Sequence, residues 1–370
     1  MTGARGWTPP PYPYDRLGPM KEKADALEGG AVDLSIGTPC DAPPPAVTNA
    51  MGAADARGYP PSIGTPELRA AAVEWMQRRL GVDVPPSSVA ACVGTKEFVA
   101  SVPQYLKLRA PDRDTVLYPA VSYPTYEMGA TLAGLRAVAV PMTGEFLLDL
   151  DAISDEDASR ALVLWVNSPG NPAGQLDDLG AAAAWGRAHG VPVFSDECYV
   201  EFTWSGAPQT ILQHGLDGVV AVHSLSKRSN LAGARVGFYA GDGDLVGYLK
   251  EVRKHAGFLV PAPMQAAATV ALGDDEHVDV QRERYAERLR LFQRVLSSLG
   301  VDAPMPGGAF YLWARAPEGD AWGFAAHLAA AGGVLVAPGD TFGPQGAEWF
   351  RAAMVQPLDR LELVADRLGG

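Results

Sequence analysis

The stretch that decides the fold is Ser224-Leu225-Ser226-Lys227-Arg228-Ser229-Asn230-Leu231-Ala232-Gly233-Ala234-Arg235. It directly follows the apolar run 218–223, which predicts a buried strand. Lys227 should therefore lie at the carboxyl end of a strand, where open α/β sheets bind ligands. Hydroxyls and a cation suit a phosphate dianion, and Ser224, Ser226 and Arg235 supply them. Partial burial and a neighbouring arginine would lower the pKa of Lys227, so that its amine could attack an aldehyde. Taken alone, the motif also fits a solvated loop lysine.

Short β-branched runs alternate with helix-like stretches through the middle of the chain. The predicted strands are 89–93, 115–118, 137–140, 161–166, 191–195, 218–223 and 236–240, with helices such as 65–80 and 178–189 between or before them. These runs are apolar without polar alternation, so both faces of each strand should be buried. The pattern predicts an α/β fold with a mostly parallel central sheet flanked by helices.

The pattern changes near residue 266, where a long helical segment runs through the charged stretch 281–294. We expect an N-terminal arm with part of a small domain in 1–44, a large domain in 45–265 and a C-terminal small α/β domain in 266–370. The Pro-rich stretch 7–19 should pack over the small domain or a neighbouring subunit.

Composition favours an enzyme acting on small molecules. The net charge of −13 disfavours nucleic acid, and no apolar run reaches the roughly 18 residues of a membrane span. No secretory signal is evident, so a cytoplasmic location is expected. The three cysteines, Cys40, Cys92 and Cys198, lack metal-ligand spacing, which predicts reduced thiols and no metal site.

Two further segments end predicted strands at the same edge of the sheet. Asn171, in Asn167-Ser168-Pro169-Gly170-Asn171-Pro172-Ala173-Gly174, could donate to a ring oxygen of a cofactor. Asp196, in Ser195-Asp196-Glu197-Cys198-Tyr199, could keep a pyridine nitrogen protonated, which makes the ring an electron sink. Each segment alone is an ordinary turn or helix cap, but together and in this order they are specific.

This series resembles the pyridoxal 5'-phosphate (PLP) dependent aminotransferases of fold type I, from about residue 34 to residue 351. The resemblance implies the PLP-dependent transferase fold, with PLP as cofactor. It implies that Lys227 binds PLP covalently and shuttles the proton, and that Asp196 pairs with the pyridine nitrogen. Asn171 and Tyr199 would donate to the 3'-oxygen, and Tyr123 would stack on the ring.

The resemblance also implies residues for the phosphate and the substrate. Gly94-Thr95-Lys96 opens a helix after a strand, so its backbone N–H groups would face the phosphate. Tyr59 would reach the phosphate of a partner subunit, which implies a homodimer with shared active sites. The Gly37 backbone, Asn171 and Arg351 would bind the substrate carboxylate.

Several runs are similar to the actinobacterial-type succinyldiaminopimelate aminotransferases: 34–39, 123–130, 195–199, 223–233, 253–257, 260–263 and 336–340. This implies transfer between N-succinyl-LL-2,6-diaminopimelate and 2-oxoglutarate in lysine and diaminopimelate biosynthesis. Arg228, Lys254 and Arg16 are candidates for the distal succinyl carboxylate.

Other functions remain open. An aminotransferase for aspartate, an aromatic or a related amino acid would share these motifs, and so would a PLP lyase or cyclase. A transcription regulator would need a basic helix-turn-helix module in front of the domain, and a dehydrogenase would need GxGxxG after a strand; this sequence has neither. A degenerate scaffold would not be expected to keep every cofactor residue.

Overall fold

The secondary structure comes from a computed structural model that describes residues 6–369. The strands are β1 (Val32–Asp33), β2 (Val89–Cys92), β3 (Thr115–Pro119), β4 (Arg136–Val140), β5 (Ala161–Asn167), β6 (Val193–Asp196), β7 (Val219–Ser224), β8 (Gly237–Gly241), β9 (Tyr311–Arg315), β10 (Val334–Leu335), β11 (Ala337–Pro338) and β12 (Trp349–Ala353). The α-helices are α1 (Gly18–Asp25), α2 (Pro45–Ala53), α3 (Pro66–Trp75), α4 (Thr95–Arg109), α5 (Thr125–Leu132), α6 (Asp155–Arg160), α7 (Leu179–His189), α8 (Leu225–Arg228), α9 (Gly243–His255), α10 (Ala262–Gly273), α11 (Glu276–Ser298), α12 (Ala321–Gly332) and α13 (Leu358–Leu368).

The central sheet has seven strands in the order β2-β8-β7-β6-β5-β3-β4. Strand β8 runs antiparallel to both of its neighbours, and the other adjacent pairs are parallel. All seven predicted strands are present, with ends within two residues of the prediction. The predicted mostly parallel α/β sheet is confirmed.

Both faces of this sheet are buried, because successive side chains of a strand point to opposite sides. In β5, Leu164 and Val166 face one core, which α2, α3, α7 and α10 cover. Val163 and Trp165 face the other core, which α4, α5 and α9 cover. The uninterrupted apolar runs of the sequence follow from this three-layer packing.

A second, smaller core is built from α11, α12, α13 and the antiparallel sheet β11-β12-β9. Val32 and Leu34 of the N-terminal segment pack into it. Helix α10, in contrast, packs its buried alanines into the large core against α2 and α3. We therefore propose to place the division of the chain after Gly273 rather than after residue 265. Residues 1–5 of the predicted N-terminal arm lie outside the described part.

The fold brings the ends of four parallel strands to one edge. Strands β2, β5, β6 and β7 all finish there, and β12 of the smaller core lies across the same edge. The stretch 7–19 was expected over the small domain or a neighbouring subunit. Its short 3-10 helix Pro13–Leu17 contacts the smaller core through an Arg16–Asp340 ion pair of 2.9 Å. Within residues 6–369, no helix is both long enough and apolar enough to cross a membrane.

Candidate active site

A cavity of about 380 Å³ opens at the carboxyl edge of the central sheet. The predicted site residues that line it are Gly37, Thr95, Lys96, Tyr123, Asn171, Asp196, Tyr199, Ser224, Ser226, Lys227, Arg235 and Arg351. Gly94 lies directly behind the lining, against Arg235. Tyr59 is elsewhere, with 96% of its surface exposed.

Lys227 reaches the cavity from α8, which follows β7 without a loop. Ser224 caps this helix, because its hydroxyl accepts from the Ser226 N–H at 3.1 Å. The Lys227 ammonium donates to the carbonyl of Gly37. Its removal from water lowers the pKa of Lys227 to about 8. About a tenth of the amine is therefore uncharged at pH 7, far more than in an ordinary lysine.

The arginines that lower the pKa of Lys227 come from elsewhere in the chain, and Arg228, its neighbour in the sequence, is not one of them. The positive charges of Arg351 and Arg235 add to the effect of burial and further lower the pKa of Lys227. Arg228 faces away from the cavity and pairs with Glu201, with 3.3 Å between Nε and Oε1.

Asp196 lies buried at the end of β6. Its Oδ2 accepts from the Tyr126 hydroxyl at 2.9 Å, and its Oδ1 accepts from the Cys198 N–H at 3.2 Å. Burial raises the pKa of Asp196, and these two hydrogen bonds only partly oppose it. Both donors are uncharged, so a protonated pyridine nitrogen fits as the opposite charge that the carboxylate needs.

The phosphate end is formed where α4 begins. Gly94 has φ +75° and lies so close to Arg235 that a Cβ would come within 2.2 Å of its Nη2. The first N–H groups of α4 and the Arg235 guanidinium thus converge on one point, an arrangement that suits a phosphate dianion. Thr95 adds a hydroxyl, which lies 3.2 Å from the Cys198 sulfur.

Arg351 forms the carboxylate end, with 1% of its surface exposed. Its Nη1 donates to Asn171 Oδ1 at 2.7 Å, and its Nη2 donates to the carbonyl of Ser35 and to the Tyr14 hydroxyl. Its Nε is buried and has no partner among residues 6–369. A buried donor left without a partner costs about 1–3 kcal/mol, so a substrate carboxylate at this point would satisfy it.

The sequence reasoning missed three tyrosines that complete the site. Tyr126 holds Asp196, Tyr14 reaches Arg351, and the Tyr311 hydroxyl lies 2.7 Å from that of Tyr199. The sequence could have predicted Tyr126, since it lies three residues after Tyr123, about one helical turn, in the quoted run 123–130. Nothing local in the sequence marks Tyr311.

The predicted cations for a distal carboxylate do not line the cavity. Arg16 pairs with Asp340, Arg228 is buried against Glu201, and Lys254 is an exposed residue at the end of α9. The cavity has a different cation at its mouth, Lys96. Its ammonium lies 5.1 Å from the ring centre of Tyr12 and 5.5 Å from that of Tyr123.

The fold and these residues define a PLP-dependent transferase of fold type I. The family model for aminotransferase class I and II matches residues 30–368, and the chain belongs to this family, whose cofactor is PLP.

Similarity to individual aminotransferases extends over nearly the whole chain. The chain is 42% identical to the 4-dedimethylamino-4-oxo-anhydrotetracycline transaminase OxyQ of Streptomyces rimosus, over 97% of this chain and 99% of that protein. It is 33% identical to the LL-diaminopimelate aminotransferase of Aquifex aeolicus, over 97% and 96% of the two chains. A Thermus thermophilus structure described as a probable N-succinyldiaminopimelate aminotransferase is 32% identical, with a TM-score of 0.85 over 96% and 98% of the chains.

Proposed function

We propose that this aminotransferase acts on an amino acid whose side chain ends in a second carboxylate, with N-succinyl-LL-2,6-diaminopimelate and 2-oxoglutarate as the pair. The observation that carries the proposal is that the cavity holds two cations, Arg351 and Lys96, in addition to Lys227 and Arg235, which the cofactor would engage. Arg351 lies buried at one end, and Lys96 lies at the mouth. A pathway to lysine and diaminopimelate would use this reaction, and the Aquifex and Thermus relatives support that context.

In this proposal the cofactor and substrate tasks are divided among the residues of the cavity. PLP, when bound, supplies an aldehyde that bonds to amines and a ring that accepts the electron pair left at the substrate α-carbon. Lys227 Nζ would take the proton from that α-carbon, because its lowered pKa makes the neutral amine far more accessible near pH 7 than in an ordinary lysine. Asp196 would hold a positive charge at the ring nitrogen, and Tyr199 and Asn171 would donate to the 3'-oxygen. Arg351 fixes the α-carboxylate.

The phosphate and the stacking tasks fall to the other predicted residues. Ser224, Ser226, Arg235 and the Gly94-Thr95-Lys96 turn would hold the phosphate, and the Tyr123 ring would stack on the cofactor. All of these lie on or directly behind the cavity wall.

We also propose a homodimer in which Tyr59 reaches the partner's phosphate site. An almost fully exposed tyrosine is unusual for a single folded chain, and Ile36, which lines the cavity, is 44% exposed. In the proposed homodimer a partner subunit would cover these exposed side chains. Sedimentation of the holoenzyme, together with loss of PLP affinity in Tyr59→Phe, would test the arrangement.

A second candidate is transfer to a bulky cyclic ketone. The 42% identical relative carries the name of a transaminase for a tetracycline precursor, and the cavity mouth is rich in aromatic surface from Tyr12 and Tyr123. Such a substrate would need the rings at the mouth more than the charge of Lys96.

The test uses the purified holoenzyme in single turnovers. L-Glutamate should bleach the visible absorbance of the bound cofactor, and the succinylated ketopimelate should restore it. Lys96→Met should lower kcat/KM for this oxo acid by about 10- to 100-fold, the value of a hydrogen bond to a charged group, and leave pyruvate unaffected. Lys254→Met, which removes an exposed lysine outside the cavity, is the matched control.

Other outcomes separate the alternatives. Equal loss for both oxo acids in Lys96→Met would contradict the distal-carboxylate role. If an aromatic ketone restored the absorbance and the succinylated acid did not, the second candidate would be favoured. A visible spectrum that no amino donor changes would indicate a lyase.

A further inference from the structure

Tyr311, the first residue of β9, joins three parts of the site. Its hydroxyl lies 2.7 Å from the hydroxyl of Tyr199. Its ring centre lies 4.5 Å from the guanidinium carbon of Arg351. It also lies against the Gly37 backbone, where a Cβ would come within 2.4 Å of the Tyr311 hydroxyl. With 1% of its surface exposed, this side chain has no freedom to turn elsewhere.

The two hydroxyls share one hydrogen bond, so only one of them can be its donor. If Tyr199 donates to Tyr311, then Tyr199 has no proton left for the cavity. If Tyr311 donates, the Tyr199 proton is free to point into the cavity. Within residues 6–369, Tyr199 is the only hydrogen-bond partner of the Tyr311 hydroxyl.

The surrounding charge favours Tyr311 as the donor. A guanidinium over its ring draws electron density from the phenol and makes its O–H the more acidic of the two. Burial raises the pKa of both tyrosines, so both hydroxyls keep their protons at neutral pH. The pair therefore works as an oriented chain of two neutral donors.

We infer that Tyr311 is a positioning residue that donates its proton to Tyr199 and thereby directs the Tyr199 proton to the 3'-oxygen of PLP. The inference rests on the place of Tyr199 in the proposed function. A donor aimed at this oxygen favours its negatively charged form. Tyr311 would thus act through Tyr199 to set how readily the bound cofactor holds that charge.

The experiment follows the visible absorbance of the holoenzyme as a function of pH. Tyr311→Phe keeps the ring over Arg351 but removes the donor to Tyr199. The spectral transition should move upward by about half to one pH unit, the value of one hydrogen bond between neutral groups. The value of kcat should fall, and KM for L-glutamate should stay unchanged because the carboxylate site is intact.

Tyr285→Phe is the matched control. Tyr285 is a fully buried tyrosine of the same apolar cluster as Tyr199 and Tyr311, and its hydroxyl has no partner among residues 6–369. This variant removes a buried hydroxyl without touching the pair, so its transition should stay at the wild-type pH. A transition that moves equally in both variants would mean general loosening of the cluster, and it would overturn the inference.

Tyr199→Phe separates the inference from the function on which it rests. It should shift the transition more than Tyr311→Phe does, and the double variant should match it, because the two residues act in series. A shift in Tyr199→Phe with none in Tyr311→Phe overturns the Tyr311 role alone. No shift in either variant overturns the place of Tyr199 as well.

Discussion

Arg351 Nη1 donates to Asn171 Oδ1 at 2.7 Å, a hydrogen bond that joins β12 of the smaller core to the loop after β5 of the central sheet. The bond orients both side chains. Since Asn171 Oδ1 is already occupied, the Asn171 amide nitrogen is the group that can donate into the cavity. Arg351 keeps two N–H donors for a carboxylate, the Nε group, which has no partner among the described residues, and the second hydrogen of Nη1.

We expect Arg351→Lys to lower kcat/KM for L-glutamate by about 30- to 3,000-fold, since losing one member of a buried charged hydrogen-bond pair costs about 2–5 kcal/mol. A single ammonium cannot reach both Asn171 and a carboxylate in the planar manner of a guanidinium. The visible spectrum of the holoenzyme should not change. Arg315→Lys, at an exposed ion pair, is the control, and a loss under threefold in Arg351→Lys would contradict the carboxylate role.

The lowered pKa of Lys227 predicts how the apoenzyme reacts with PLP. Burial disfavours the ammonium form, so the share of neutral amine should grow as pH rises through about 8. Stopped-flow mixing with PLP should therefore give a rate that rises between about pH 7 and 9 and then levels off. Arg351→Gln removes a positive charge that also lowers this pKa, so it should move the midpoint upward. A wild-type midpoint near pH 10 would show an ordinary solvated lysine.

Asp196→Asn should separate stability from activity. Burial raises the pKa of Asp196, so ionisation is harder in the folded chain than in the unfolded one. The stability that this group contributes is complete below its unfolded pKa and is lost as pH rises. The variant, which never ionises, should keep its apo free energy of unfolding at pH 7 within about 1 kcal/mol in urea titrations.

Turnover in the same variant should fall by about 10²- to 10³-fold, the scale on which enzymes depend on one fixed electrostatic contact. Asp177→Asn, another buried carboxyl whose pKa burial raises to about 6, is a control away from the cavity. Retained turnover in Asp196→Asn would contradict a role at the ring nitrogen.

Local sequence was enough to predict the edge of the sheet where the site lies. Apolar runs identified the strands; Asp196 ends β6, and Lys227 comes three residues after the end of β7. The carboxyl ends of parallel strands lie at one edge of the sheet, so the order of strands and polar residues along the sequence already predicts that these side chains cluster.

The sequence does not predict in the same way which side chains point into the cavity. Arg228 follows Lys227 on α8, but consecutive residues of a helix point about 100° apart, and only one of the two faces the cavity. Tyr311 comes to Tyr199 through packing between chain segments 112 residues apart. The alanine-rich helix α10 fits either domain by pattern, and only its contacts with α2 and α3 assign it.

A buried carboxylate behind the cavity should be essential to stability. Glu201 is 3% exposed and accepts from Trp75 Nε1 at 2.7 Å, Arg79 Nε at 3.1 Å and Arg228 Nε at 3.3 Å. Glu201→Ala should lower the free energy of unfolding by about 3–5 kcal/mol, because the buried Arg228 would keep only Asp275, 3.9 Å away, as a counter-charge. Urea unfolding measures this, with Glu348→Ala as the control.

The control variant removes an exposed ion pair, so we expect a change of only about 0–1 kcal/mol. A Glu201→Ala variant no less stable than Glu348→Ala would mean that the buried network relaxes without loss.

Gly94→Ala should weaken PLP binding through contact with Arg235. Gly94 has φ +75°, and the new Cβ would come within 2.2 Å of Arg235 Nη2, so the guanidinium must leave its place at the start of α4. Loss of this charged phosphate contact should raise the Kd for PLP by about 10- to 100-fold.

Gly134→Ala is the matched control, since Gly134 has φ +68° and open space around its Cβ position. A positive φ strains an alanine at either position by about 1–3 kcal/mol, and Gly94→Ala should lose at least as much stability as Gly134→Ala, because Gly94 also has ψ 151°. Only Gly94→Ala should lose cofactor affinity in fluorescence titrations of the apoenzyme, and equal affinity in the two variants would place the phosphate away from this turn.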